Sequence, residues 1–296
     1  MFVLAHLSDP HLAPLPVPRW RELLGKRATG FVNWHRRRHL IHRPDVLMRI
    51  VADLKAHAPD HIAVTGDLVN IALAGEYSSA AAWLTSLGTP EDVTFVPGNH
   101  DAYVRAALGF PAQHWGDYMR ADQGEDHGGE VSFPFLRRRG AIALIGLSSA
   151  VPSPPLMATG RLGSAQIAPL AAILARCRRE SLFRVVLIHH PLTSDRSRRL
   201  KRLTDAAALR AVLAQEGAEL VLHGHDHEHA LVHVAGPHRP IPVVGVASAS
   251  EAPRINHGGA GYNLYHIDPD TRRCQLLSRS LTRDGAAVIE SRRLEL

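Results

Sequence analysis

The chain has 296 residues, 45% of them apolar and 21% charged, enough to bury a sizeable core in one large α/β domain or two small ones. No apolar run approaches the roughly 18 residues that a membrane-spanning helix needs, and the N-terminus has neither a basic n-region nor a small-residue cleavage site. The net charge of +6 points to an anionic partner, yet it is concentrated: residues 19–43 hold eight Lys/Arg against one acid, Glu22. Cys177 and Cys274 share no CxxC spacing and read as reduced packing residues of a cytoplasmic protein.

Taken in chain order, short apolar runs alternate with helical periods. "FVLAHL" (2–7) reads as a buried strand that ends in the turn Ser8-Asp9-Pro10. Pro44 and Asp45 start a helix whose apolar face is Val46, Leu47, Ile50, Val51 and Leu54. A strand at 61–67, a helix near 75–87 and a strand at 93–96 follow. Next come a strand at 141–147, a helix at 164–176 with Ser164 as a candidate cap, and a strand at 184–190. A helix from Asp205 to about Glu216 leads to a strand at 218–224, and the remaining third holds strand-like runs suited to antiparallel pairing. Two stretches, about 12–43 and about 102–135, lack clear periodicity; loops of that length are usually functional or mobile.

Strand after strand ends in a histidine, aspartate or asparagine. The motifs are Asp9-Pro10-His11, Gly66-Asp67, Gly98-Asn99-His100-Asp101, His189-His190-Pro191 and Gly224-His225-Asp226-His227. The carboxyl ends of strands in an open α/β sheet share one rim, so these residues are expected to converge. With twenty histidines in the chain, each motif alone carries little weight. Together they supply carboxylate, imidazole and amide oxygen, the borderline ligands that suit Mn, Fe or Zn.

In the order D-x-H, G-D, G-N-H-D, H-H-P, G-H-x-H the chain resembles the calcineurin-like metallophosphoesterases over residues 9–227, in particular the class III cyclic nucleotide and glycerophosphodiester phosphodiesterases. The resemblance implies an α/β fold, a four-layer αββα sandwich of two mixed sheets flanked by helices, with residues 1–296 as one domain. It also implies two divalent transition-metal ions. Asp9, His11 and His227 would hold one ion and Asn99, His189 and His225 the other, with Asp67 shared between them. A hydroxide held by both ions would attack phosphorus, with Asp67 and Asn99 in the catalytic set. His100 would supply the proton or positive charge for the leaving oxygen, oriented by Asp101, and His190 would support a ligand or touch substrate.

The basic stretch leaves the expected rim just after His11. As a metal cluster, His35, His39 and His42 are poor, because the dense arginines repel a cation. Trp34 and the arginines could grip nucleic acid. Alternatively, Trp20, Leu23, Leu24, Phe31, Val32 and Trp34 interleave with arginines as in an interfacial foot, broken by Gly25 and Gly30. That version is similar to the basic, apolar-lined cap of UDP-diacylglucosamine pyrophosphate hydrolases, and would make the protein peripheral at the inner membrane surface. A solvated helical hairpin is the plainest reading. As a lid, the stretch would bring Trp34, Arg36 and Arg37 to the substrate. A second basic run, 195–205, follows the His189 loop and belongs at the same rim. The expected reaction is phosphodiester hydrolysis. The alternatives are a lipid-linked pyrophosphate or diester, a nuclease, or an inactive binding scaffold.

Overall fold

The computed structural model describes residues 1–125, 130–193, 196–254 and 259–296. The N-terminal half opens with β1 (Phe2–Leu7) and a helical stretch of α1 (Lys26–Asn33), a π-helical turn (Trp34–Arg38) and α2 (His39–Ile41). It continues with α3 (Pro44–Ala56), β2 (His61–Val64), α4 (Ala74–Leu87), β3 (Val93–Phe95) and α5 (Phe110–Trp115). Then come β4 (Phe135–Arg139), β5 (Ile142–Gly146), α6 (Ser164–Arg179), β6 (Phe183–Leu187), α7 (Ala206–Glu216) and β7 (Leu220–His223). Five strands close the chain: β8 (Ala230–Val234), β9 (Ile241–Gly245), β10 (Gly261–Asp268), β11 (Arg273–Leu281) and β12 (Val288–Glu295).

The strands form two six-stranded mixed sheets, ordered β12-β11-β10-β1-β2-β3 and β4-β5-β6-β7-β9-β8. Period-2 alternation in the second sheet explains why they stack. Leu144, Val185, Leu187, Leu220, Leu222 and Val244 enter the core shared with the first sheet. Their neighbours Ala143, Ile145, Val186, Val221 and Val243 pack on the other face with Leu170 and Leu174 of α6 and Leu209 and Leu213 of α7. The first sheet's outer layer comes from α3, through Val46, Leu47, Ile50 and Leu54, and from α4, through Tyr77, Ala80, Leu84 and Leu87. The result is the αββα sandwich. Cys177 and Cys274 are free and buried, one in each of these cores.

Three local expectations change. The stretch 102–135 contains α5 and runs into β4, whose sequence FLRRR hides a strand because Arg137 is buried. Its guanidinium is satisfied by the carbonyls of Arg120 at 2.7 Å, Pro90 at 2.5 Å, Val93 at 2.9 Å and Asp117. Burial lowers its pKa to about 10. Ser164 is not a cap; the amides of Leu162 and Gly163 donate instead to the Asp205 carboxylate at 2.8–3.1 Å. Gly30 does not break α1 but lies inside it, where a Cβ would come within 2.6 Å of Ile71 Cγ2 and 2.7 Å of Tyr103 Oη. The missing side chain lets α1 lie against the body.

No helix among the described residues is long and apolar enough to cross a membrane. Leu222→Ala, in the fully buried layer between the sheets, is expected to cost about 2–5 kcal/mol by urea denaturation. Met48→Ala, on the 66%-exposed side of α3, should change stability by less than about 0.5 kcal/mol.

Candidate metal centre

β1, β2 and β3 run parallel in one sheet, and β5, β6, β7 and β9 run parallel in the other, so their carboxyl ends meet on one rim. Hydrogen bonds across the sandwich fix the two halves. The His189 Nδ1–H donates to Thr65 O at 2.6 Å, and the His225 amide donates to Asp9 Oδ2 at 2.9 Å. Within the first sheet, the amides of Asp9 and His11 donate to the carbonyls of Gly66 and Asp67 at 3.0 and 3.1 Å.

The backbone turns sharply at three of the motifs. Asp9, His11, Asp67, His225 and His227 all lie at positive φ, between 38° and 70°. That region costs a non-glycine residue about 1–3 kcal/mol, and such strain persists where surrounding structure over-determines it. At Gly98 a Cβ would collide with Asp67 Oδ1 and sit 2.8 Å from His189 Cε1, so only glycine fits between these groups.

The side chains converge as the sequence leads one to expect. The ligand atoms of Asp9, His11 and His227 lie within 4.8 Å of one another, as do those of Asp9, Asp67 and His189. Asp67 Oδ2 is 3.8 Å from His11 Nε2 and 3.4 Å from His189 Nε2, while Oδ1 accepts the His100 amide at 2.7 Å. His189 Nε2 is 3.2 Å from Asn99 Oδ1 and 3.2 Å from His225 Nδ1. Three histidines are anchored through Nδ1: His11 to Val69 O (3.3 Å), His189 to Thr65 O, and His227 to Glu251 (3.4 Å). Each thereby points Nε2 into the site, the orientation a metal ligand needs.

This donor set fits divalent cations. Asp9 Oδ1, His11 Nε2 and His225 Nε2 are buried and make no hydrogen bond among the described residues. Burial resists charge on His189 and His227, yet the Asp67 and Asp9 carboxylates outweigh it and raise them to about 10 and about 9. Despite its burial, His227 and His189 pull Asp9 below the ordinary carboxylate range. His11 and His225 are pushed well down, first by burial and then by the positive groups around them. The carboxylates thus draw positive charge into a closed space, as a cation site does.

His100 and Asp101 differ from expectation. His100 Nδ1–H donates to Asn70 O at 2.5 Å, and Arg38 Nη1–H donates to His100 Nε2 at 3.2 Å. Burial, opposed by Asp67 and reinforced by Arg38, lowers His100 to about 4. Asp101 does not orient His100. Its carboxylate accepts four backbone amides: Asp67 and Gly98 at 2.8 Å, Leu68 at 2.9 Å and Val69 at 3.2 Å. Burial and the neighbouring Asp67 push it up to about 7, against amide donors that favour the ionised form.

A cavity of about 610 Å³ opens over these groups. Lys26, Gly30 and Asn33 of α1 roof it, and Arg38, Met157 and Lys201 complete its wall. The residues expected to contact substrate sit elsewhere. Trp34 is buried as packing, Arg36 and Arg37 are exposed, and none of the three lines the cavity. His190 does not line the cavity; it packs behind the donor set, its ring 4.4 Å from that of His225 and 5.1 Å from that of His189, with Nδ1 bonded to Ser149 Oγ at 2.8 Å and Nε2 to Ala158 O at 3.0 Å. Of the second basic run, Asp195 lies outside the described residues and Lys201 reaches the cavity.

Sequence reasoning missed Arg38, His42 and Glu251. His42 is buried, with its ring 4.5 Å from that of His11 and its Nδ1 bonded to Ser250 Oγ at 2.9 Å. Its position between a basic cluster and Pro44 gave no sign of this. Glu251 follows no motif, and only the fold carries it to His227.

A two-sheet α/β sandwich with aspartate, asparagine and histidine gathered at its strand ends defines a metal-dependent hydrolase. The family model of the calcineurin-like phosphoesterases matches residues 2–229, and the chain belongs to that family. It is thus a metal-dependent phosphoester hydrolase of a family built on a dinuclear divalent centre, with Asp and His groups positioned to hold metal. Among solved structures, a dimetal phosphatase from Danio rerio is similar at 14% identity, with a TM-score of 0.66, covering 99% of this chain and 98% of that one. A purple acid phosphatase from yellow lupin seeds is similar at 13% identity and a TM-score of 0.63; 99% of this chain matches about half, 53%, of that one. At such identities the likeness is one of fold. No curated protein sequence matches the chain.

Asp101→Asn turns an amide donor toward backbone N–H groups. It is expected to cost about 2–4 kcal/mol by urea denaturation and to lower bound metal measured by mass spectrometry. An unchanged metal content with unchanged stability would count against the stapling role.

Proposed function

We propose that the protein hydrolyses phosphodiesters of the cyclic-nucleotide or glycerophosphodiester type. The observation that supports this most is the roofed cavity: about 610 Å³ is more room than a bare phosphate needs and suits a phosphorus bearing two organic groups. In this reading Asp9, His11 and His227 hold one cation, and Asn99, His189 and His225 hold the other. Asp67 would be shared between them; its Oδ2 lies 3.8 Å from His11 Nε2 and 3.4 Å from His189 Nε2. When bound, such a pair of divalent cations activates water at neutral pH and offsets phosphoryl charge. The protein's own contribution is orientation. Nδ1 anchors fix His11, His189 and His227, the His100 amide holds Asp67, and His100 lines the cavity beside Arg38. Residues 12–43 act as a basic cap on a single 1–296 domain, whose other long irregular stretch is 102–135.

A panel of cyclic AMP, glycerophosphodiesters, UDP-diacylglucosamine and single-stranded nucleic acid, run with Mn²⁺, tests the substrate class. Turnover of the first two and loss of all activity after chelation are expected. Activity confined to phosphomonoesters would reject the diester reading. His100→Ala should keep its metal content while turnover on an ester with a poor leaving group falls about 100-fold or more.

A specific observation favours a second reading, contact with an anionic membrane through residues 19–43. Trp20, Leu24 and Leu40 are 66–71% exposed amid arginines, and Leu156, which lines the cavity, is 89% exposed. Flotation with vesicles of phosphatidylglycerol and phosphatidylcholine at low salt should carry the protein upward, and Trp20→Ser with Leu24→Ser should abolish it. Absence of flotation by the unaltered protein removes this reading.

A further inference from the structure

We propose that Arg38 is the group that meets negative charge on the leaving oxygen, and that His100 acts as its hydrogen-bond anchor rather than as the proton donor. This rests on the hydrolytic reading above and assigns the chemistry on its leaving side.

The partners of His100 decide its proton. Asn70 O can only accept, so Nδ1 carries the hydrogen; a guanidinium can only donate, so Nε2 presents a lone pair to Arg38 Nη1 at 3.2 Å. In that tautomer the imidazole has no hydrogen to offer the cavity. Arg38 lines that cavity. Its Nη2 is 3.5 Å from His42 Nε2, and its Nε is buried with no hydrogen-bond partner among the described residues. The guanidinium is therefore gripped by two imidazoles and shielded at Nε, which leaves the second hydrogens of Nη1 and Nη2, on the wall shared with Asp67, Asn99, His100, His225 and His227.

Of the other cations that line the cavity, Lys201 is exposed at its wall, while Lys26 and Arg254 are engaged elsewhere. Lys26 Nζ donates to Ser153 Oγ at 2.9 Å and to Met157 O at 3.3 Å and lies over the Tyr103 ring, while Arg254 pairs with Glu251. Arg38 makes no ion pair with an acid among the described residues. The π-helical turn explains why this arginine is selected. Trp34 is buried at its start and Arg36 and Arg37 face solvent, whereas Arg38 returns to the inner face one wide turn later.

The step balances without a protein-borne proton. A water oxygen forms the new P–O bond and releases its proton to solvent. The ester P–O bond breaks, and its electron pair leaves on the ester oxygen. Arg38 holds that oxyanion as an ion pair until solvent protonates it.

Leaving-group dependence tests the assignment. Arg38→Ala, Arg38→Lys and His100→Ala are compared with the unaltered protein on aryl methyl phosphates whose phenols span a range of acidity. If only monoesters are turned over, the matching aryl phosphates are used, so failure of the diester reading leaves this test intact. Arg38→Ala should lose about 100-fold or more on the least acidic phenol and under about 5-fold on the most acidic. Added guanidinium should restore part of the loss, and Arg38→Lys should fall between. Metal content and thermal midpoint near those of the unaltered protein exclude misfolding. An equal loss by Arg38→Ala across the series, or a steepened dependence in His100→Ala alone, would overturn the proposal.

Discussion

Four backbone amides from two different strand ends converge on the Asp101 carboxylate, and this junction sets the geometry of the site. Asp67, Leu68 and Val69 follow β2, while Gly98 follows β3, so a single side chain closes the gap between neighbouring loops. Asp67 then receives the His100 amide from the same loop that Asp101 terminates. The donor atoms are thus positioned by main-chain bonds rather than by side-chain packing. Each bond to an ionised acceptor contributes more than a neutral one, roughly 1.5–3 kcal/mol, and together they can hold residues at positive φ.

Electrostatics follows from that geometry. Asp9 and Asp67 are buried and held close together, an arrangement that repels unless positive charge enters. Among the protein's own groups, His189 and His227 supply it, drawn upward by the carboxylates against the effect of burial. His11, His225 and His100 go the other way and stay neutral, since burial and nearby cations oppose a further proton. His11 and His225 are thus in the neutral form that cation binding requires, while His189 and His227 would release their protons to an incoming cation.

Much of this was legible because the ligand types sit at strand ends, and strand ends are the part of an α/β sequence that hydrophobic runs mark best. The parallel strands and α3, α4, α6 and α7 follow their apolar periods closely, as do the antiparallel strands of the C-terminal third. What escaped has physical causes. β4 reads as polar because Arg137 points inward and is satisfied by carbonyls distant in sequence. Asp101 resembles a partner for its neighbour His100, yet its bonds go to backbone that only the folded loops bring near. In Arg36-Arg37-Arg38 identical residues have two fates, solvent for the first two and the cavity wall for the third, decided by a π-helical turn that no 3.6-residue period anticipates.

The helical stretch over the site is attached in an uneven way. Among the residues of α1 none is buried, so this helix adds little to the apolar core. Its register comes from directional contacts: Arg27 donates to the carbonyls of Ile71 and Ala72, and Lys26 to Ser153. Farther along, the Arg43 amide donates to Ser250 O at 2.9 Å and the Ala252 amide to Ile41 O at 2.8 Å. Such contacts, together with the buried Trp34, fix where Arg38 points. The two sheets therefore carry the donor set, while the basic stretch supplies the cavity roof and a guanidinium on its wall, placed by directional bonds and by the buried Trp34.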